Sequence, residues 1–96
     1  MNARDLENAV LARCADVATG AGLSARDARE ANVFRLAGMV IGSVRPAEAA
    51  RLRQASDQFF AQSGSAPLPP TEVVAQGWVP GLPRLRDMLC ARLAHH

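Results

Sequence analysis

General acid–base chemistry near neutral pH usually recruits histidine or paired carboxylates. The only histidines in these 96 residues, His95 and His96, are the last two and are set aside as terminal. The nine Asp and Glu residues are scattered along the chain, at spacings that suit solvated helix faces. A nucleophile needs a base within hydrogen-bond reach, and Cys14, Cys90, Ser24 and Ser56 have none beside them in sequence. Cys14 and Cys90 form no C-x-x-C pair and lie near no internal histidine, so no metal set is expected. They read as buried free thiols, with a disulfide as the alternative. Gly20 and Gly22 lack the further glycine and preceding strand of a phosphate-binding loop. No catalytic residue, metal or cofactor is assigned, and the expectation is a protein that is not an enzyme.

What remains is recognition. Trp78 is the single tryptophan and opens WVPGLP, a segment stiffened by two prolines around a Pro-Gly turn. A large side chain on a rigid loop suits an interaction anchor, and its competing role is to plug the end of a helical bundle. Trp78, Val79 and Leu82 are therefore candidate contacts for another protein, together with Phe59 and Phe60. All eleven basic residues are Arg, and the formal net charge is +2. Planar guanidinium groups suit phosphate and carboxylate, but a GC-rich coding bias explains an Arg-only, Ala-rich chain more economically. The charges spread evenly, without the clustering of a nucleic-acid footprint.

These residues have to be positioned by helices. Nineteen alanines, few aromatic residues and a shortage of β-branched residues outside one stretch favour close-packed helices over a sheet. The fold class expected is all-α, a single domain over 1–96 with about four helices at roughly 3–19, 25–44, 46–62 and 83–94. The organising stretch is Ser24 to Val44, uncharged from Leu36 to Val44. Ser24 is the expected N-cap, with Asp27 three residues on. Ala28, Ala31, Phe34, Gly38 and Ile41 share one helical face; Val33, Ala37, Val40 and Val44 share the adjoining one. Gly38 and Gly42 would leave a flat groove for another backbone. Over Met39 to Val44 a buried strand is the competing reading. A membrane span, which needs about 20 apolar residues, is not expected, because Arg35 and Arg45 bracket the run.

The first helix offers Leu6, Val10, Cys14 and Val17 to the interior, and Asn2 is its expected cap. Glycines at 20 and 22 close it, and the short link should make the first two helices neighbours. Arg45-Pro46 ends the second helix and starts the third, whose stripe is Ala49, Leu52, Ser56, Phe59 and Ser63. SGSAPLPP, 63–70, reads as a linker or surface loop. Thr71 should cap a short turn that Gly77 ends, and the last helix should begin at Pro83 and bury Leu85, Met88, Leu89 and Leu93.

Val17-Ala18-x-x-x-Gly22-Leu23-Ser24-x-x-x-Ala28 resembles the core of a helix-turn-helix. That resemblance implies a recognition helix from Ala25, with Ser24, Arg26 and Arg29 as DNA contacts. The order of short helices and small-residue contacts is similar to tetratricopeptide-like chaperones of bacterial secretion systems, without a full repeat. MNARDLENAV has no basic region leading into an apolar one, so no signal peptide is seen and a cytoplasmic location is expected. The function expected first is non-catalytic binding to another protein or to itself, as an adaptor, small subunit or chaperone-like partner. DNA binding and a secretion chaperone are the alternatives, and neither a membrane nor a metal is an expected partner.

Overall fold

A computed structural model describes residues 2–95. Among them are five helices and no strand: α1 (Ala3–Ala18), α2 (Ala28–Ile41), α3 (Pro46–Ser63), α4 (Pro70–Ala75) and α5 (Leu82–Leu93). The all-α expectation holds, and Met39 to Ile41 are helical, which settles the strand alternative for those three.

The central helix starts later than the Ser24 cap implies. Asp27 is the N-cap, accepting from the Glu30 N–H at 2.7 Å, and Ala25 and Arg26 precede the helix. Asp27-Ala-Arg-Glu30 is a capping-box pattern, and it outcompetes Ser24 because its glutamate also reaches back, to the Arg26 N–H at 3.0 Å. The helix ends at Ile41, with 42–44 in a turn. Thr71 does not cap α4; Pro69 does, and Pro70 takes the first helical position, where its missing N–H costs nothing. For the same reason α5 admits Pro83 in its first turn and opens one residue earlier, at Leu82. Asn2 caps α1 as expected, accepting from Asp5 N–H at 2.8 Å.

Ala31, Asn32, Val33, Phe34, Leu36, Ala37, Gly38 and Ile41 are all buried, so α2 is the axis of the molecule. Its main neighbour is α3, with α5 and α4 on other sides. At Gly38 the two helices nearly touch: a Cβ there would stand 3.1 Å from the Ala49 carbonyl oxygen and 3.0 Å from Arg53 Cγ. Gly42 plays no such part, being the C-cap residue of α2. α1 and α2 are neighbours, as expected, through Arg13, which reaches Glu30 and Phe34. The backbone of α1 lies closer to α3 and α5, and the link to α2 folds into a closing turn and then runs irregularly from Gly22 to Asp27. That turn has Gly20 donating to Val17 and Ala21 to Asp16, the double closure of a helix C-terminus.

Helix ends borrow arginines from elsewhere in the fold. Arg51 of α3 donates to the Ala18 carbonyl at the end of α1, and Arg45 to the Leu93 carbonyl at the end of α5. Both cations sit where orphan carbonyls and the negative end of the helix dipole favour them. The 63–70 segment is no free linker. Buried Asn32 accepts from Leu68 N–H at 2.8 Å and donates to the Ala28 carbonyl, pinning the loop to α2.

Candidate functional site

Because α1 and α2 do not close on each other, a cleft of about 340 Å³ opens between their N-terminal halves. Leu6, Ala9, Val10 and Arg13 of α1 form one wall. Arg29, Glu30, Val33 and Phe34 of α2 form the other, with Arg26 and Asp27 just ahead of the helix. Trp78, in the loop between α4 and α5, completes the lining. The sequence pattern that puts Leu6 and Val10 on the apolar face of α1 is correct, but both are only half-buried. Deeper along the same face Cys14 and Val17 are fully buried, so α1 seals the core at its C-terminal end and leaves apolar surface at its N-terminal end.

A network of charges holds the cleft in shape. Glu30 Oε1 accepts from Arg13 Nη2 at 3.1 Å and Arg26 N–H at 3.0 Å, while Oε2 accepts from Arg26 Nη2 at 2.8 Å and Nε at 3.0 Å. Partial burial pushes the Glu30 carboxyl up, but the hydrogen bonds from Arg26 and Arg13 and the charge of Arg13 outweigh it. They hold the carboxyl below its ordinary range. The Arg13 guanidinium also donates to the Ser24 carbonyl at 2.9 Å and lies 5.6 Å from the centre of the Phe34 ring, a cation–π distance. Its Nε is buried and, among the described residues, finds no acceptor. Gly22 makes room for this side chain. At φ +62° it occupies the left-handed region, and a Cβ there would come within 2.8 Å of Arg13 Nη1.

The residues proposed from sequence fall in different places. Trp78, Arg26 and Arg29 line the same cleft, although the sequence points them to different partners. Trp78 is half-buried and packs against the core as well, so it serves as both plug and cleft wall. Val79, 7% exposed, is part of the core, which leaves little of its surface for a partner. Leu82 is exposed at the start of α5 and Phe59 and Phe60 are half-buried on α3, stacked edge to face at 5.5 Å; none of the three lines the cleft. Ser24 engages through its backbone carbonyl, and Arg26 is tied to Glu30.

No protein-family model matches the chain, and neither a curated protein nor a solved structure matches it. The geometry of the cleft is therefore what speaks to function. Among the described residues no group of three or more His, Cys, Asp or Glu is placed to hold a metal, and no helix is long and apolar enough to cross a membrane. Cys14, fully buried, has its thiol pushed up to about 12, by burial first and then by the Glu30 charge, with Arg13 opposing. Such a thiol stays protonated and inert at neutral pH. It is free, as is Cys90, which is only half-buried on α5.

Arg13 and Glu30 are the site residues that sequence reasoning missed. For Glu30 a signal existed in the Asp27-x-x-Glu30 capping pattern. Arg13 carried none, since its partners lie 11 and 17 residues away and only the fold brings them together.

Proposed function

We propose that the chain is a non-catalytic binding module that receives an apolar segment of another protein in the cleft between α1 and α2. The supporting observation is the joint lining by half-buried Trp78, Leu6 and Val10 beside Arg13, Arg26 and Arg29. A tryptophan lining a largely apolar pocket that also carries guanidinium groups has the composition of an interface hot spot. A volume of about 340 Å³ is at the lower end of ligand sites and suits one or two anchoring side chains.

DNA held by Ser24, Arg26 and Arg29 draws less support from the geometry. Arg26 is spent on Glu30, and α2 turns most of its length inward from Ala31 onward. Few phosphates would be neutralised, so little salt-dependent affinity would result. Duplex binding that falls steeply with salt, and is lost in an Arg26→Ala/Arg29→Ala double variant, would favour that alternative instead.

The test is a selection of displayed random peptides against the folded chain and against Trp78→Ala. Wild type should enrich sequences with bulky apolar residues, and Trp78→Ala should lose most of that enrichment while keeping its helical circular dichroism. Equal enrichment by both proteins would place the contact elsewhere.

A further inference from the structure

We infer that the segment received by this cleft carries a carboxylate beside its apolar anchor, and that Arg29 is the group that receives it. This inference rests on the peptide-binding role proposed above. Of the charged side chains around the cleft, Arg13 and Arg26 are both committed to Glu30, at 3.1 and 2.8 Å. Asp27 is committed to the Glu30 N–H at 2.7 Å. Arg29 is exposed and, among the described residues, makes no ion pair.

Its position sharpens the point. Arg29 is the second residue of α2, in the first turn, where the positive end of the helix dipole disfavours a cation. The two acids that would offset it there are turned to other partners. The lining therefore carries three guanidinium groups against two carboxylates, and Arg29 is the one guanidinium of the three without an ion pair among the described residues. An Asp or Glu next to the anchor, or one helical turn from it, would meet this charge in the lining of the cleft. A basic segment would meet repulsion.

Peptide pools selected by wild type, Arg29→Glu and Trp78→Ala decide the matter. Glutamate suits the second position of a helix better than arginine does, so Arg29→Glu should fold, and its circular dichroism checks this. Wild type should enrich apolar residues together with Asp or Glu. Arg29→Glu should enrich them with Lys or Arg, and should bind the wild-type peptides at least about tenfold more weakly. Selected peptides with no acidic bias, or an acidic bias unchanged in Arg29→Glu, would overturn the role of Arg29 and leave the peptide-binding role standing. No enrichment by wild type over Trp78→Ala would remove that role, and this inference with it. Decanoate titrated against Trp78 emission forms a separate arm. Saturable binding of that free acid, with no peptide selected, would overturn the peptide as the source of the carboxylate.

Discussion

Arg13 shows how much one side chain can depend on its surroundings. Its guanidinium reaches a backbone carbonyl in the link, a carboxylate on α2 and the face of Phe34, while its Nε has no partner among the described residues. Close behind it on the helix, Cys14 has no such freedom. A thiol with no exposed surface, raised to about 12, should react with a maleimide or disulfide reagent only when the chain opens, whereas half-buried Cys90 should react in the folded state. Mass spectrometry of labelled native protein should therefore find modification at Cys90 alone, with Cys14 joining in denaturant. Early labelling of Cys14 would mean that α1 detaches from α3 and α5 far more readily than its packing implies. Asn32 is the counterpart in polar chemistry. It is buried and satisfied at both ends of its amide, so it fixes a loop without leaving an orphaned group.

At the scale of elements, the contact between α2 and α3 carries the fold. Small residues at Gly38 and Ala49 let the two backbones approach, and Leu52 then packs 3.5 Å from where a Gly38 Cβ would stand. A β-branched side chain there would need the Ala49 carbonyl to move, and that oxygen belongs to the α3 backbone. Gly38→Val should therefore destabilise the protein by about 1–3 kcal/mol, read as a lower urea midpoint, despite valine's better helix propensity. A rise in the midpoint would show that the helices can part at little cost. This close approach was legible in the sequence as a pair of glycines, yet only one of the pair performs it. Gly42 lies past the end of α2, because the Asp27 cap and the turn at 42–44 define a shorter helix than apolar periodicity suggests.

For the whole molecule, Glu30 joins α1, the irregular link and α2 in one network, and its ionisation is part of what keeps the cleft shaped. A carboxyl held below its ordinary value of 4.5 binds fewer protons folded than unfolded, so its contribution is complete above that value. It is lost as pH falls through the lower, folded value. Glu30→Gln should be less stable at neutral pH, and its stability should decline less than that of wild type as the medium becomes acid, by urea titration at a series of pH values. Parallel declines in the two proteins would mean that other carboxylates set the acid limit. Arg84 of α5 bonded to Glu7 of α1 at 2.8 Å is a further link between elements and should contribute little, since its guanidinium stands largely in water.

Several features of this chain follow from local chemistry and are legible in the sequence alone. Alanine-rich composition and helical periodicity imply an all-α fold; Asn2, Gly20 and Pro46 mark helix ends, and Leu85, Leu89 and Leu93 form a core stripe, because each depends on neighbours within a few residues. Tertiary structure alone decided that α1 rests on α3 and α5, that Arg51 and Arg45 close distant helices, that Val79 is buried, and that Trp78 shares a cleft with Arg26 and Arg29. The physical reason is common to all four. A cleft or a borrowed cap joins residues far apart in sequence, so no spacing records it, and it exists only once the packing of α2 on α3 has fixed where the other helices can lie.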